Sequence, residues 1–226
     1  MARDFQELER VLSTPRLDSY RRQNQSNEEA FYLYIWNTML CESLYASLQI
    51  LEVGVRNAMH QAVGKNFNDL TWLKNENAFL QPQERKTVQE AKQSLNSRRV
   101  FQGEPELVAE MSFGFWTSLL DTRYDALWHR ITTTTFPHAP RPYRTRSEIS
   151  KRMNAARRLR NAAFHHHSIW HWSDLGSQHG GIRELIKWIS PSLNELAFTI
   201  DRFPRIFRQG RRECARIAGP PCEYEI

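Results

Sequence analysis

The spacing of hydrophobic residues predicts a chain of successive helices. The longest periodic segment runs from Glu28 to about Lys65. Within it, apolar residues recur every three or four positions, which is the spacing of one buried helical face: Leu44, Leu48, Leu51, Val55, Ala58 and Ala62. A helix of this length has room to bend or break near its middle, and Gly64 with the polar cluster at 66–69 marks its end.

Shorter helices are predicted before and after this segment. A first helix is expected over residues 4–12, and Ser13 with Pro15 indicates the start of the next, with the serine hydroxyl as its cap. Residues 24–27 form a polar break. Trp72 and Phe79 are expected to pack the region that connects the long helix to the next one.

The middle of the chain continues the helical pattern. Pro82 is expected to begin a charged helix that ends near Asn96. The apolar segment 106–120 is predicted to be helical, with Phe113, Phe115 and Trp116 in the core. Because a glycine inside a helix costs about 1 kcal/mol relative to alanine, Gly114 predicts a close approach of two helices.

Five more helices are predicted in the C-terminal half. One covers 122–131, and 132–142 is expected to be a loop. Thr145 and Glu148 match a capping box, which predicts a helix that runs into a histidine-rich stretch. A helix is expected over about 182–189, and three glycines are expected to precede it: Gly176, Gly180 and Gly181. Pro191 is expected to open the next helix and Pro204 to interrupt it. An arginine-rich helix and the tail 219–221 follow.

The fold class predicted from this pattern is all-α. The 226 residues are 40% apolar with few glycines, which favours a globular protein. We expect one domain over 1–226, with a core at about 12–191 and a basic helical extension at about 192–218. No apolar run reaches 18 residues and the N-terminus lacks the pattern of a signal peptide. Three cysteines without zinc-ligand spacing favour a reducing cytoplasm.

Positive charge is concentrated in two clusters. The formal net charge is +6, with eight basic residues against one acid over 141–160 and six arginines against one acid over 202–216. Arginine predominates, and its planar guanidinium suits phosphate. We therefore expect an RNA partner, contacted by Arg141, Arg144, Arg146, Lys151, Arg152, Arg157, Arg158, Arg205, Arg208, Arg211 and Arg212.

The histidine-rich stretch carries the residues best suited to chemistry. Arg160 and His165 are five positions apart, so on a helix they differ by about 140° in rotation and about 7.5 Å in rise. Asn161 and His165 share a face, so the amide could orient the imidazole. A neutral histidine can take a proton from an RNA 2′-hydroxyl, while an arginine stabilises charge on phosphate oxygens. Spacing alone favours a basic helix end that only caps carbonyls and binds solvent.

A second polar face lies on the long helix. Glu52, Arg56 and His60 are four positions apart, and Asn57 lies beside them. This spacing fits a salt-bridged surface stripe, and it also fits a group that supports an active site.

The sequence does not favour a metal site or a serine or cysteine hydrolase. His165, His166, His167, His171 and His179 are close in sequence, but no cysteine is nearby and consecutive helical histidines point in different directions, so we expect no metal site. A serine or cysteine hydrolase is excluded because the chain lacks a Gly-x-Ser-x-Gly elbow and a cysteine placed beside a base.

Several segments together resemble the Abi-like (abortive infection) proteins of bacteria, which belong to the HEPN superfamily of helical, mostly metal-independent ribonucleases. The likeness covers roughly 12–191 and rests on segments 34–40, 51–60, 112–116, 160–166 and 169–170. It implies a HEPN-like helical bundle with additional terminal helices, no cofactor, homodimerisation, and a toxin or phage-defence role under the control of a small structured RNA.

The resemblance also implies roles for individual residues. Arg160 would bind the transition-state phosphate, His165 would act as acid and base, Asn161 would be the polar residue between them, and His166 would support them. The family usually reads Arg-Asn-Arg-x-x-His-His-Glu-Pro, whereas this chain has Ala162, His167 and Ser168 in place of the second arginine, the glutamate and the proline.

These observations lead to two functional hypotheses. The first is a metal-independent RNA endonuclease. The second is a catalytically weak or inactive protein that scaffolds a structured RNA. A helical protein–protein adaptor is a third reading, but it would not need the charge asymmetry.

Overall fold

A computed structural model of the protein describes residues 5–21, 26–75, 79–101 and 103–217, with side chains described up to residue 210. Asp4, part of the predicted polar break at 24–27 and the tail 219–221 lie outside these ranges. The described residues form helices and no strands, so the all-α prediction is confirmed. The α-helices are α1 (Phe5–Leu12), α2 (Thr14–Asp18), α3 (Asn27–Phe67), α4 (Pro82–Ser97), α5 (Glu104–Glu110), α6 (Phe113–Ser118), α7 (Asp125–Thr135), α8 (Arg146–Phe164), α9 (Leu175–Ile189), α10 (Pro191–Ile200) and α11 (Phe203–Ile217).

The helices group into two compact units. The first unit comprises Met1–Ala46, Leu159–His179 and Ile200–Ile226, and the second comprises Ser47–Arg158 and Gly180–Thr199. Helices α3, α8, α9 and α10 each contribute residues to both units. The predicted single domain over 1–226 stays a prediction.

Helix α3 confirms the prediction from periodicity and continues without interruption for 41 residues. A capping box begins it, because the Glu29 N–H donates to Ser26 Oγ (3.2 Å) and the Ser26 N–H donates to the Glu29 carboxylate (3.3 Å). Asn68, with φ of 52°, ends it in the left-handed conformation. The predicted apolar face is buried except at Ala58, which is half-buried, whereas the adjacent Met59 is fully buried.

Large aromatic residues fill the core of the second unit. Trp72, Trp116 and Trp128 are almost completely buried, and the rings of Trp72 and Trp116 meet edge to face at 6.2 Å. Phe113 and Phe115 are also buried, which confirms their predicted packing role.

Two details of the 106–120 segment were predicted wrongly. Its helix is split, because Met111 has extended backbone and the Ser112 hydroxyl accepts the Phe115 N–H (3.2 Å) to begin α6. Gly114 also marks no close helix approach, since a Cβ there would meet only the Ser112 hydroxyl at 3.4 Å. The close approach occurs at Gly54, where a Cβ would lie 2.8 Å from Leu193 Cδ2 of α10.

Two predicted loops are helical. Residues 132–135 extend α7, because the Thr135 hydroxyl donates to the Ile131 carbonyl (2.9 Å) and the Thr132 hydroxyl donates to the Trp128 carbonyl, so that their polar groups are satisfied within the helix. Helix α9 begins at Leu175 and includes all three glycines that were expected to precede it. Glycine disfavours a helix, and the burial of side chains on one face of α9 offsets this unfavourable free energy. The buried side chains are those of Leu175, His179, Ile182 and Ile186.

Helix boundaries elsewhere test the predicted caps. Thr145 does cap α8, since its hydroxyl accepts the Glu148 N–H at 3.2 Å. Ser13 occupies the cap position of α2, but its φ of 74° turns the side chain away from capping, and it makes no cap hydrogen bond. Pro204 lies in the first turn of α11, which is kinked at Gly210.

Candidate active site and basic surface

The candidate site lies in the first unit, where α8 ends. The His167 N–H donates to the Ala162 carbonyl (2.8 Å) and the His166 N–H donates to the Ala163 carbonyl (3.3 Å). This pair of bonds is the C-terminal cap that usually places glycine in the left-handed conformation. Here His166 takes that position with φ of 60°. The cap therefore turns the chain sharply at the residues that follow Arg160.

The turn is held from α3 by Asn37, a buried amide. Asn37 Oδ1 accepts the backbone N–H groups of Ile169 (2.7 Å) and Trp170 (3.1 Å), and Nδ2 donates to the His167 carbonyl (3.3 Å). Arg16 of α2 donates to the His166 carbonyl. The backbone of residues 166–170 is thus held by two side chains that are far away in sequence.

Apolar packing fixes the residues after the turn. Ile169 is fully buried, and Trp170 packs against a cluster of buried residues from the N-terminal helices: Tyr20, Ala30 and Leu33. The histidine segment between this anchor and α8 therefore has a defined backbone with exposed side chains.

Arg160 and Asn161 lie in the last two turns of α8, and His165 directly follows this helix. The Arg160 guanidinium is half-buried, with its central carbon 4.8 Å from the centre of the Phe164 ring and Nη1 3.4 Å from Asn161 Oδ1. The Tyr45 ring meets Phe164 edge to face at 5.4 Å. Asn161 and His165 are exposed. The Asn161 side chain thus contacts the guanidinium, and the exposed His165 directly follows the residue whose ring this guanidinium covers.

Asn37 and Arg16 were not singled out from the sequence. The signal for Asn37 was present, because it falls between Leu33 and Leu40 on the buried face of α3. A lone amide on such a face requires buried hydrogen-bond partners.

The proposed supporting residues on α3 belong to the second unit. His60 is buried, and its Nε2 lies 2.9 Å from Oε1 of Glu104 at the start of α5. The same carboxylate accepts the backbone N–H groups of Leu73 (3.0 Å) and Lys74 (2.8 Å). His60 therefore joins α3, α5 and the turn after α3.

The other α3 candidates differ in exposure. Arg56 donates from Nη1 to the Ala109 carbonyl at 3.4 Å, Glu52 is half-buried, and Asn57 is exposed. A supporting role for these residues and for His60 in catalysis stays a prediction, as does the role of the exposed His166.

The histidines do not converge on a common point. His165, His166, His167 and His171 are exposed, whereas His179 is buried against Phe203, with ring centres 4.4 Å apart and its Nε2 2.9 Å from Asp201 Oδ2. Within the described residues, no group of three or more His, Cys, Asp or Glu side chains is arranged to hold a metal ion. Burial raises the pKa of the Cys41 thiol to about 11, so the thiol form predominates near neutral pH.

Four of the predicted RNA-binding arginines make internal contacts, and one of them is Arg208, which donates to the Pro204 carbonyl at 2.9 Å. Arg144 donates to the Pro137 carbonyl at 3.2 Å. Arg146 pairs with Asp125, and Arg152 pairs with Glu184 (2.9 Å). These acids lie outside the 141–160 segment, so counting charges along that segment overstated the available charge.

Several predicted RNA-binding residues are exposed in each unit. Arg141, Lys151 and Arg158 are exposed in the second unit, where Arg157 is half-buried. Arg205 and Arg208 are exposed in the first unit. Arg211 and Arg212 lie in α11, but their side chains fall outside the described part of the chain.

Comparison of the chain with protein-family models, with curated proteins and with solved structures gave no match. No helix in the described ranges combines the length and apolarity needed to cross a membrane.

Proposed function

We propose that the protein is a metal-independent RNA endonuclease whose active centre is the Arg160–Asn161–His165 group. The observation that carries the proposal is the exposed His165, which directly follows Phe164, the residue whose ring the Arg160 guanidinium covers, at a turn whose backbone is held by Asn37 and Arg16. Catalysis depends on groups that are held in place before substrate binds. The resemblance of 160–166 to the HEPN motif assigns the same roles.

In the proposed reaction, neutral His165 takes the proton from the RNA 2′-hydroxyl. The 2′-oxygen then attacks the adjacent phosphorus, and the bond from phosphorus to the 5′-oxygen breaks. Arg160 stabilises the charge on the phosphoryl oxygens. The departing 5′-oxygen takes a proton from the imidazolium of a second copy in a homodimer. The products are a 2′,3′-cyclic phosphate and a 5′-hydroxyl.

The biological role proposed for this reaction is that of an abortive-infection effector or toxin in the cytoplasm, bound and controlled by a small structured RNA. Sequencing of RNA that co-purifies with the protein identifies that partner. Analytical ultracentrifugation tests the dimer.

Cleavage of a labelled RNA by the purified full chain tests the mechanism. We expect His165→Ala to slow cleavage by at least ~10²-fold, the scale of positioned proton transfer. His171→Ala is the matched control, because His171 is also exposed and lies only six residues further along the chain, and it should leave the rate within about three-fold. EDTA should have no effect, and a 2′-deoxy nucleotide at the cleaved position should block the reaction. Persistent cleavage in His165→Ala, or loss of cleavage in EDTA, contradicts the proposal.

The second candidate function is an RNA-binding scaffold without catalysis. It is favoured by exposed cations in both units, such as Arg158 and Arg205. Such a protein binds structured RNA with an affinity that falls steeply with salt, and His165→Ala leaves both binding and the RNA intact. RNA affinity that does not change between 50 and 200 mM salt rules it out.

A further inference from the structure

A cleft of about 400 Å³ lies in the second unit between α7 and the start of α8. Its walls carry two guanidinium groups, an imidazole and four hydroxyl-bearing side chains, with Asp125 as the only acidic residue among those that line it. The sequence had suggested Arg144 and Arg146 only as parts of a general RNA surface. Their position in a cleft gives them a more specific use.

Both guanidinium groups are held in place by the protein. Arg144 donates to the Ala139 carbonyl and, at 3.2 Å, to the Pro137 carbonyl. Arg146 pairs with Asp125 and donates from Nη1 to the Leu120 carbonyl at 2.7 Å. Because a guanidinium carries five N–H donors, each retains donors for a ligand after these contacts are made. The cations are therefore ordered before a ligand arrives.

The cleft favours an anion with several acceptor oxygens. Its two arginines outweigh its one aspartate, and exposed His129, Thr133 and Ser147 add further groups that can donate hydrogen bonds. Fixed guanidinium forks match the oxygens of a phosphate. The volume lies within the range of small-molecule sites, about 300–1,000 Å³, so it accommodates a phosphate together with a body the size of a sugar.

We propose that this cleft binds a phosphate monoester, either on a small compound or at the 5′ end of an RNA strand. The site is independent of the residues proposed for RNA cleavage, so it stands whether or not His165 proves catalytic.

Isothermal titration calorimetry on the full chain tests the proposal with two matched pairs of probes. The first pair is ribose 5-phosphate and ribose, and the second is an RNA trinucleotide with and without a 5′-phosphate. The phosphorylated member of a pair should bind once per chain and at least ten-fold more tightly than its partner. Equal affinity of the two phosphorylated probes identifies a small compound as the ligand, whereas tighter binding of the trinucleotide identifies the strand end.

A charge placed in the cleft locates the binding site. Thr133→Glu adds a carboxylate to an exposed lining position, and Thr134→Glu adds the same charge at the next exposed residue of α7, which does not line the cleft. Thr133→Glu should weaken binding of the phosphorylated probe at least ten-fold, and Thr134→Glu less than three-fold. Absence of binding by both phosphorylated probes, or equal effects of the two variants, overturns the proposal.

Discussion

Removing the Asn37 amide should release the histidine segment from α3. Asn37→Ala deletes the acceptor for the Ile169 and Trp170 N–H groups and the donor to the His167 carbonyl. A buried backbone N–H left without a partner costs about 1–3 kcal/mol, and each lost net hydrogen bond costs about 0.5–1.5 kcal/mol. The higher helix propensity of alanine offsets about 0.6 kcal/mol of this loss in folding stability. We therefore expect a loss of about 3 kcal/mol, which is large against typical stabilities of about 5–15 kcal/mol.

Urea denaturation and amide hydrogen exchange measure this effect. Asn57→Ala is the matched control, because it makes the same substitution on the same helix at an exposed position. In Asn37→Ala, amides 167–170 should exchange faster than in the parent chain, and the RNA cleavage rate should fall with them. If the two variants unfold at the same urea concentration and exchange at 167–170 is unchanged, Asn37 does not anchor the segment.

Three further predictions concern positions with unusual backbone or burial. Gly180→Ala should raise the free energy of unfolding by about 1 kcal/mol, because a Cβ there meets no atom within 4 Å. Gly54→Ala should raise this free energy less, because its Cβ would lie 2.8 Å from a leucine methyl. Thermal denaturation of the two variants tests this difference. His166→Gly should stabilise the folded protein by about 1 kcal/mol, because glycine adopts the left-handed conformation without the steric cost that histidine has there. The control His171→Gly should destabilise the folded protein. A lower Tm for His166→Gly than for the parent chain would contradict the assigned cap. With the other two cysteines changed to serine, Cys41 should react with iodoacetamide far more slowly at pH 8 in the folded chain than in urea. Since partial burial raises the pKa of this thiol to about 11, its labelling rate should climb as pH rises from 9 to 11, and fast labelling of the folded chain at pH 8 would contradict the raised pKa.

Periodicity and capping residues located most helices of the fold. The apolar face of α3, Pro82 at the start of α4 and Thr145 before α8 each carry local information that suffices to fix a boundary. Predictions failed where tertiary burial offset local preference. Leu175 and Ile182 are buried on one face of α9, and their burial keeps a glycine-containing segment helical.

The candidate site was only partly visible in the sequence. Arg160, Asn161 and His165 could be named because their chemistry is local. The cap that turns the chain at His166 could not, since histidine rarely replaces glycine there. The partners of Arg146 and Arg152 were missed for a different reason: ion pairs join residues that are more than twenty positions apart.

The dependence of the histidine turn on Asn37 also sets an order of events during synthesis. Asn37 and its partners Ile169 and Trp170 are separated by 132 and 133 residues. At the usual elongation rates, Asn37 leaves the ribosome roughly 7–26 s before they do. A nascent chain therefore carries the N-terminal helices for many seconds without the segment that they anchor. If the protein is a nuclease that needs this turn, the nascent chain does not cleave RNA until residues 169 and 170 have left the ribosome.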